Sequence, residues 1–555
     1  MEHPFQGSGQ FDGFYVQEED SKADTDPATS EGIFVLSASP VSAGDKVRVT
    51  GEVFEFAPSG SEASLTELTH VSRVLGCGGG NTVTPATVNL PVNSLSDWER
   101  YEGMLVHIPQ DLTVTDTFTL GRFGEVGLSA NGRLRNPTHV TTPGAAANAL
   151  QELNDRRRIL LDDANGQQNR DPILYPLPGG LSAANTLRAG YTLHGLTGVL
   201  EQRFGQYRLQ PVGTISFDAS TNPRPPAPAA RGGNLRIASL NVLNYFTTLD
   251  TGAKICGPSG NLDCRGANTA AELTRQRDKI ISAILAIDPD VAGLMEVENN
   301  ATTAIQSVVD GLNTRAGAGT YAFIDTGTIG QDAIKVALIY KPARVTPVGP
   351  HQLLTASVNP RFNDSKNRPS LAQTFAHTAT GARFTLVVNH LKSKGSDCND
   401  VNDPDTGDGQ GNCNRTRQSA AQALTDWLAT DPTGSGNPDV LIIGDLNSYA
   451  KEDPITTITG AGYVNLIERF LGDDAYSFVF QGQAGYLDYA LASPSLTAQV
   501  IGVTEWHINA DEPTVLDYNL EFKSAGQANS LYSPSPYRAS DHDPVIIDLR
   551  LGNQQ

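Results

Sequence analysis

The chain has 555 residues, with 40 basic against 61 acidic side chains and a net charge of −21. That length exceeds one domain and implies about two to three. The acidity excludes a structural nucleic-acid binder, which needs a broad basic face; it does not exclude an enzyme that meets a polyanion at one local basic patch.

The opening MEHPFQGSGQ lacks the basic and apolar parts of a signal peptide. Beyond it the first elements show period two. In DKVRVTGEV (45–53), Val47, Val49, Gly51 and Val53 alternate with Lys46, Arg48, Thr50 and Glu52, the pattern of a half-buried strand. AGDKVRVTGEVFEF (43–56) is echoed by AGYTLHGLTGVLEQRF (189–204), which suggests a duplicated or returning β unit. Residues 101–118 and 124–130 read as further strands and 144–163 as a helix. Many short twisted strands over 1–215 suit a small Greek-key barrel of the OB type. Its aromatics Tyr15, Phe54, Phe56, Phe118, Phe123 and Tyr207 could stack bases, and core packing explains them as well. If this module binds DNA, removing 1–215 raises KM and leaves the rest active. Residues 216–233 are rich in Pro and Ala and read as a semi-rigid linker.

From 234 to 551 strand and helix patterns alternate. LRIASLNVLNYF, VAGLMEVE, KVALIYKP, FTLVVNHLK, DVLIIGDLN, YLDYALA and DPVIIDL are short apolar strands. TAAELTRQRDKIISAILAI (269–287) and RQSAAQALTDWLAT (417–430) carry apolar residues at helical spacing. Strands apolar on both faces suit an α/β sandwich with helices outside. No apolar run of about 18 residues occurs, so no membrane insertion is expected.

Cys256 and Cys264 bracket one polar loop, Cys398 and Cys413 another, and Cys77 is left over. Two close pairs in polar loops suit disulfides of an exported protein, with the signal upstream of Met1. Zinc spacing is absent. The second loop carries Asp397, Asp400, Asp403, Asp405 and Asp408, which could bind Ca²⁺ or form a solvated acidic loop; it is not an EF-hand, since no Glu closes it.

Several apolar runs end on a carboxylate, amide or imidazole. Glu296, in VAGLMEVE, follows the apolar run VAGLM, and a carboxylate leaving a buried strand needs a cation or a donor. Asp445 and Asn447 are two apart, so both can address the same side of an extended chain. Asp541 and His542 are adjacent and point different ways, while Asp488 can fix a histidine tautomer. His390 follows FTLVVN, and Lys392 and Lys394 supply local positive charge for phosphate. Each segment alone reads as a cap or turn; six together do not.

SLNVLNYF, GDLN, LDYALA and SDHDPV, as a set, resemble the endonuclease/exonuclease/phosphatase superfamily over roughly 234–551. The spellings RGANTAAELTRQRDKI, NHLKSKG and YRASDHDPV resemble the bacterial extracellular nucleases of the ExeM/NucH type. The resemblance implies a four-layer α/β sandwich of DNase I-like type, with Mg²⁺ or Mn²⁺ as cofactor. It implies Asn241, Glu296 and Asp541 at the metal, Asp445 and Asn447 on the nucleophilic water, and His542 oriented by Asp488. It also implies His390 facing the scissile phosphate and Arg368 contacting phosphate. The sequence departs from the pancreatic-type DNases in one respect: where their histidine matching His390 has a glutamate partner, the stretch that carries KVALIYKP offers Lys335 or, just before it, Ile334. The equivalence of Asn244 is open.

The expectation is a secreted, monomeric, metal-dependent nuclease acting on DNA, with RNA a further substrate. The alternative is the same fold acting on lipid or small phosphoesters, for which no aromatic membrane hairpin is evident.

Overall fold

The computed structural model describes residues 11–57 and 64–552. The opening decapeptide, on which the leader reading falls, lies outside the described residues. The C-terminal part is built on two facing six-stranded sheets. The first runs Ala322–Phe323, Ile334–Tyr340, Val291–Glu298, Leu235–Tyr245, Val545–Leu549, Val500–Glu505. The second runs Val345–Leu354, Arg368–His377, Arg383–His390, Val440–Asp445, Asp488–Ala492, Val464–Asn465. Each has one parallel pair at its centre, Leu235–Tyr245 with Val291–Glu298 and Arg383–His390 with Val440–Asp445.

Alternation sorts the side chains. Leu235 and Ile237 enter the core between the sheets with Met295, Val388 and Ile443. Ala238, Leu240 and Val242 turn the other way, onto Ile280, Ile284, Val308 and Leu312 of the helices Ala270–Ile287 and Thr303–Ala316. Asn241 follows the odd-numbered set and points between the sheets. Gly293 is required there: a Cβ would stand 2.7 Å from Ile443 Cδ1 and 2.8 Å from Val388 Cγ2. The helices Asn414–Leu428 and Asp453–Gly460 cover the far face with Leu424, Trp427, Ile455 and Ile458. The result is a four-layer α/β sandwich. The helix read at 269–287 begins one residue later, because Thr269 caps it and Glu272 completes a capping box.

The N-terminal region is rich in sheet. Leu105–Asp116, Val126–Ala130, Arg158–Leu161, Gln206–Pro211 and Thr192–Arg203 close on themselves, since Thr192–Arg203 pairs with both Gln206–Pro211 and Leu105–Asp116. The barrel is filled by Ile108, Leu112, Leu128, Leu161, Leu196 and Leu209. A separate sheet orders Gly13–Gln17, Gly32–Leu36, Leu65–Gly78 and Lys46–Phe56.

Three sequence expectations change here. The echoing segments 43–56 and 189–204 are strands of different sheets, so the echo is not a chain returning to one sheet. The helix read over 144–163 stops at Arg156, and Ile159 to Leu161 become a barrel strand because their burial outweighs helical spacing. Lys46–Phe56 is a strand, but Val53 and Phe54 stay exposed rather than half-buried.

The Pro-rich stretch 216–233 is not a free spacer. Phe217–Asp218 adds a short strand to Thr192 and Leu193. Arg224 then grips Glu512 with two bonds of 2.8 and 2.7 Å, and Pro225 accepts a hydrogen bond from Tyr537 at 3.0 Å. The charged anchors within the stretch, not its prolines, decide its course.

Candidate active site

Strand register assembles one row of polar side chains at the sandwich rim. Arg368 stands opposite His390, His390 opposite Asp445, and Asp445 opposite Asp488, across four neighbouring strands of the second sheet. The facing edge of the first sheet supplies Asn241 and Glu296. Pairing there breaks between Asn241 and Tyr245, and Leu243, Asn244 and Glu296 take left-handed backbone (φ 51°, 47° and 65°). Such bulges re-aim side chains at strand ends, and non-glycine residues occupy that region only where their surroundings hold them. Glu296 is held from two sides: Asn241 Nδ2 donates to it at 3.1 Å and the Asn244 backbone N–H at 2.8 Å. Asn244 thus serves Glu296 through its backbone. Asn447 is also left-handed, with φ 47°, its N–H donating to Asp445 Oδ1 at 2.8 Å and its Nδ2 to the Leu391 carbonyl at 3.1 Å.

The loop before Val545–Leu549 brings in His542. Its Nδ1 lies 2.7 Å from Asp488 Oδ2, which also accepts the Ser477 hydroxyl at 2.6 Å. The Phe478 ring stacks on the imidazole with centroids 4.6 Å apart. Both histidines then point Nε2 at one carboxylate: Asp445 Oδ2 is 3.5 Å from His390 and 3.9 Å from His542. His390 Nε2 is also 3.9 Å from Glu296.

Burial sets the protonation. It pushes the Asp445 carboxyl up to about 7, even with His542 beside it. Burial and then the Asp541 charge raise Glu296. Burial works against a charge on His542, but Asp488 and Asp541 outweigh it and lift the imidazole well above its usual value. Burial, with Arg368 next, holds His390 well below. The site therefore sets a neutral imidazole and a cationic one against the same oxygen of the Asp445 carboxyl. That arrangement can order a water or hydroxyl and stabilise negative charge developing near it.

A family model described as "Endonuclease/Exonuclease/phosphatase family" matches residues 238–542, more than half of the chain. The chain belongs to this family. A second model, a domain of unknown function (DUF8508), matches residues 79–219. No curated protein matches the chain. Among solved structures, the human Nocturnin catalytic domain with bound sulfate is 16% identical, at a TM-score of 0.34, over 58% of this chain and 96% of that one. A mannosyl-6-phosphatase of Bacteroides thetaiotaomicron is 14% identical, at 0.35, over 57% and 99%. D. rerio TDP2 complexed with a single-strand DNA product is 14% identical, at 0.33, over 56% and 97%.

Enzymes of the endonuclease/exonuclease/phosphatase family typically use divalent metals. Among the described residues no group of three or more His, Cys, Asp or Glu side chains is poised to hold an ion. The donor set present is smaller: the Glu296 carboxylate, which Asp541 raises by repulsion, is the hard donor, while Asn241 turns its Nδ2 to Glu296 and its Oδ1 to the Leu243 N–H at 3.0 Å, so its amide would have to turn over to offer oxygen to a cation. A cation between those carboxylates would relieve that repulsion. Mg²⁺ commonly takes only one or two protein carboxylates and fills its sphere with water and substrate oxygens.

The remaining sequence candidates fall into different places. Arg368 is buried, bonded to Asp332 at 2.9 Å and to the Leu391 carbonyl at 3.2 Å. Lys392 lies half-buried near it, with burial and then Arg368 lowering its pKa. Lys394 does not face the row: its ammonium is bonded to Glu452 and to the Gln410 carbonyl at 2.6 Å. Lys335 turns away from His390, to the carbonyls of Ala301 and Gly327. His390 Nδ1 is buried without a hydrogen-bond partner among the described residues.

Both cysteine pairs are disulfides, Cys256–Cys264 and Cys398–Cys413, and Cys77 is free and exposed. In the second loop Asp403 caps the following helix through the Arg415 and Thr416 N–H groups, and Asp397, Asp405 and Asp408 close local turns. Asp400 meets Lys366. These carboxylates shape the loop itself. Sequence reasoning missed Ser477, Phe478, Asp332 and Arg265. Arg265, beside a disulfide cysteine, bonds Asp332 at 3.0 Å and so completes a cationic corner with Arg368. Only the cysteine beside Arg265 hinted at any of the four.

Proposed function

We propose that this chain is a secreted, metal-dependent nuclease that hydrolyses phosphodiester bonds of DNA, and of RNA as a further substrate, with low sequence specificity. The observation that carries the reading is the line Asp488–His542–Asp445, with a 2.7 Å bond at one end and a 3.9 Å gap at the other. Asp488 holds the orientation and the charge of His542, leaving its Nε2–H directed toward the reacting centre. Asp445 and Asn447 hold the attacking water, Asp445 accepting its proton as it approaches phosphorus in line. His390 and Arg368 stand where the phosphoryl oxygens and leaving oxygen gather charge, and Arg265 and Lys392 widen the cationic corner. Glu296, Asn241 and Asp541 would hold a divalent cation, which supplies Lewis-acid charge when bound. The N-terminal barrel is OB-like in this reading: five strands closing with one parallel pair support it. Two disulfides in polar loops support export. A monomer is the working assembly.

The test is supercoiled plasmid with Mg²⁺, with and without EDTA, beside His542→Ala. Nicking abolished by both EDTA and the substitution is the expected result. No nicking with either Mg²⁺ or Ca²⁺, alongside hydrolysis of small phosphomonoesters or lipid headgroups, overturns the nuclease reading in favour of the alternative.

A further inference from the structure

We infer that the groove between the barrel and the sandwich binds an unpaired nucleic-acid strand by base stacking, along an aromatic path that starts at His542. The inference deepens the nuclease reading and rests on it for the identity of the ligand. A cavity of about 670 Å³ opens at this junction. Phe118, from the loop between the first two barrel strands, lines it from the barrel; Phe478, Phe480, Leu243 and Asp541 line it from the sandwich. Phe478 stacks on His542, and Phe480 lies nearly parallel to Phe478, centroids 6.5 Å apart at 11°. A second groove of about 320 Å³ continues past Phe118 to Phe522. Phe480 is 56%, Phe118 74% and Phe522 80% exposed, among the most exposed large apolar side chains described. Single exposed rings are ordinary, but three strung along one groove from a catalytic histidine are not.

The path is built, not floppy. The hairpin Phe478–Phe480 with Gln483–Gly485 pairs onto Leu134 and Arg135 of the N-terminal region, and the Thr115 hydroxyl bonds the Gly482 carbonyl at its turn. Both walls are therefore fixed to each other.

The charges favour bases over phosphates. Arg538, the cation of the first groove, is bonded to the carbonyls of Asn509 and Glu512, and in the second groove Arg122 bonds Gln168 at 3.2 Å and Lys523 pairs with Asp517. The acids are also engaged: Glu512 by Arg188 and Arg224, Asp517 by Lys523 at 3.1 Å, Asp116 by the Phe118 N–H at 2.9 Å. Phosphate is drawn instead to the corner where Arg368, Arg265 and Lys392 set three cations against the single acid Asp332, so the strand would lie with its backbone there and its bases in the groove. Parallel rings accept any base face but only outside a duplex. A membrane fits less well: the hairpin 478–485 does carry an exposed aromatic, Phe480, that the sequence did not reveal, but its rings line a walled groove and not a protruding tip.

The test uses the full-length protein in EDTA, so that nothing is cut, and reads the anisotropy of a short fluorescent oligothymidine. Phe118→Ala and Phe480→Ala, both at exposed positions outside the catalytic row, are each expected to weaken binding about tenfold. A blunt duplex of equal length is expected to bind more weakly and to ignore both substitutions. Three results overturn the inference: no binding of the strand by the native protein, equal binding by the variants, or phosphatidylcholine vesicles binding in its place. Plasmid nicking is scored separately. Nicking with unaltered strand binding in the variants sinks the groove and leaves the nuclease; Phe118-dependent strand binding without nicking does the reverse.

Discussion

Arg188 and Glu512 pair across the boundary between the N-terminal region and the sandwich, and neither side chain reaches solvent. Arg188 also meets Asp511 at 3.1 Å, Arg133 binds the same carboxylate at 2.7 Å, and Arg224 holds the other face of Glu512. Burial opposes the charge on Asp511, but Arg133 and Arg188 outweigh it and hold its carboxyl far below the usual range. The network runs on toward the candidate active site. The Tyr476 hydroxyl donates to Asp511 at 2.9 Å, Tyr476 stacks flat on His507, and His507 Nδ1 lies 2.9 Å from Asp543, next to His542. The N-terminal region thus helps hold the histidine loop in place.

Arg188→Met therefore acts on the whole protein. Removing one partner from a buried cluster strands the others, at a cost of about 3–5 kcal/mol. Urea unfolding should show that loss in the midpoint. The same cluster argues against removal of 1–215 leaving an active remainder: residues 234–551 alone are expected to lose activity, not merely affinity. A truncated protein with native kcat would refute this.

Asp488→Asn keeps volume but removes the charge that orients His542. With that charge gone the imidazole loses its proton and its fixed orientation, and kcat should fall by about 10²–10⁴-fold while KM is unchanged. Steady-state hydrolysis of a small phosphodiester checks the split. Equal changes in both constants would instead indicate a disturbed binding surface.

Glu296→Gln tests the cation site apart from turnover. The variant loses the charged donor while keeping its shape and its Asn241 and Asn244 neighbours. Mg²⁺ titration by calorimetry should show at least about tenfold weaker binding, consistent with how strongly such sites depend on their carboxylates. Native-like affinity would move the cation elsewhere.

The sandwich was legible because its signals are local. Glu296, His390 and Asp445 each end an apolar run, so their place at the rim follows from strand direction alone. Disulfide partners were legible for the same reason, the chain between them being short. Lys394 was misread because its partner Glu452 is 58 residues away, and nothing near Lys394 announces a buried carboxylate. Ser477 and Phe478 reach the site only through the fold, from a hairpin pinned to the N-terminal region. The Pro-rich stretch was read by composition, whereas Arg224 and Phe217 decide its path.

Glu102 offers a pH test remote from the catalytic row. It joins the four-stranded sheet to the barrel: its Oε1 accepts the Thr66 N–H at 2.9 Å and its backbone carbonyl accepts the Ser30 hydroxyl at 2.5 Å. Burial raises its carboxyl to about 7, against the Thr66 bond and with help from Glu99 and Glu55. The unfolded chain titrates near about 4.3. Between these values the folded state binds the extra proton, so stability falls as pH rises and is fully present only below about 4. Glu102→Gln removes this dependence. Discounted for partial solvent access, the variant should gain about 1–2 kcal/mol over the native protein at about pH 8 and nothing at about pH 4. Paired urea titrations at the two pH values decide it: parallel native and variant profiles would mean that Glu102 stays ionised in the fold.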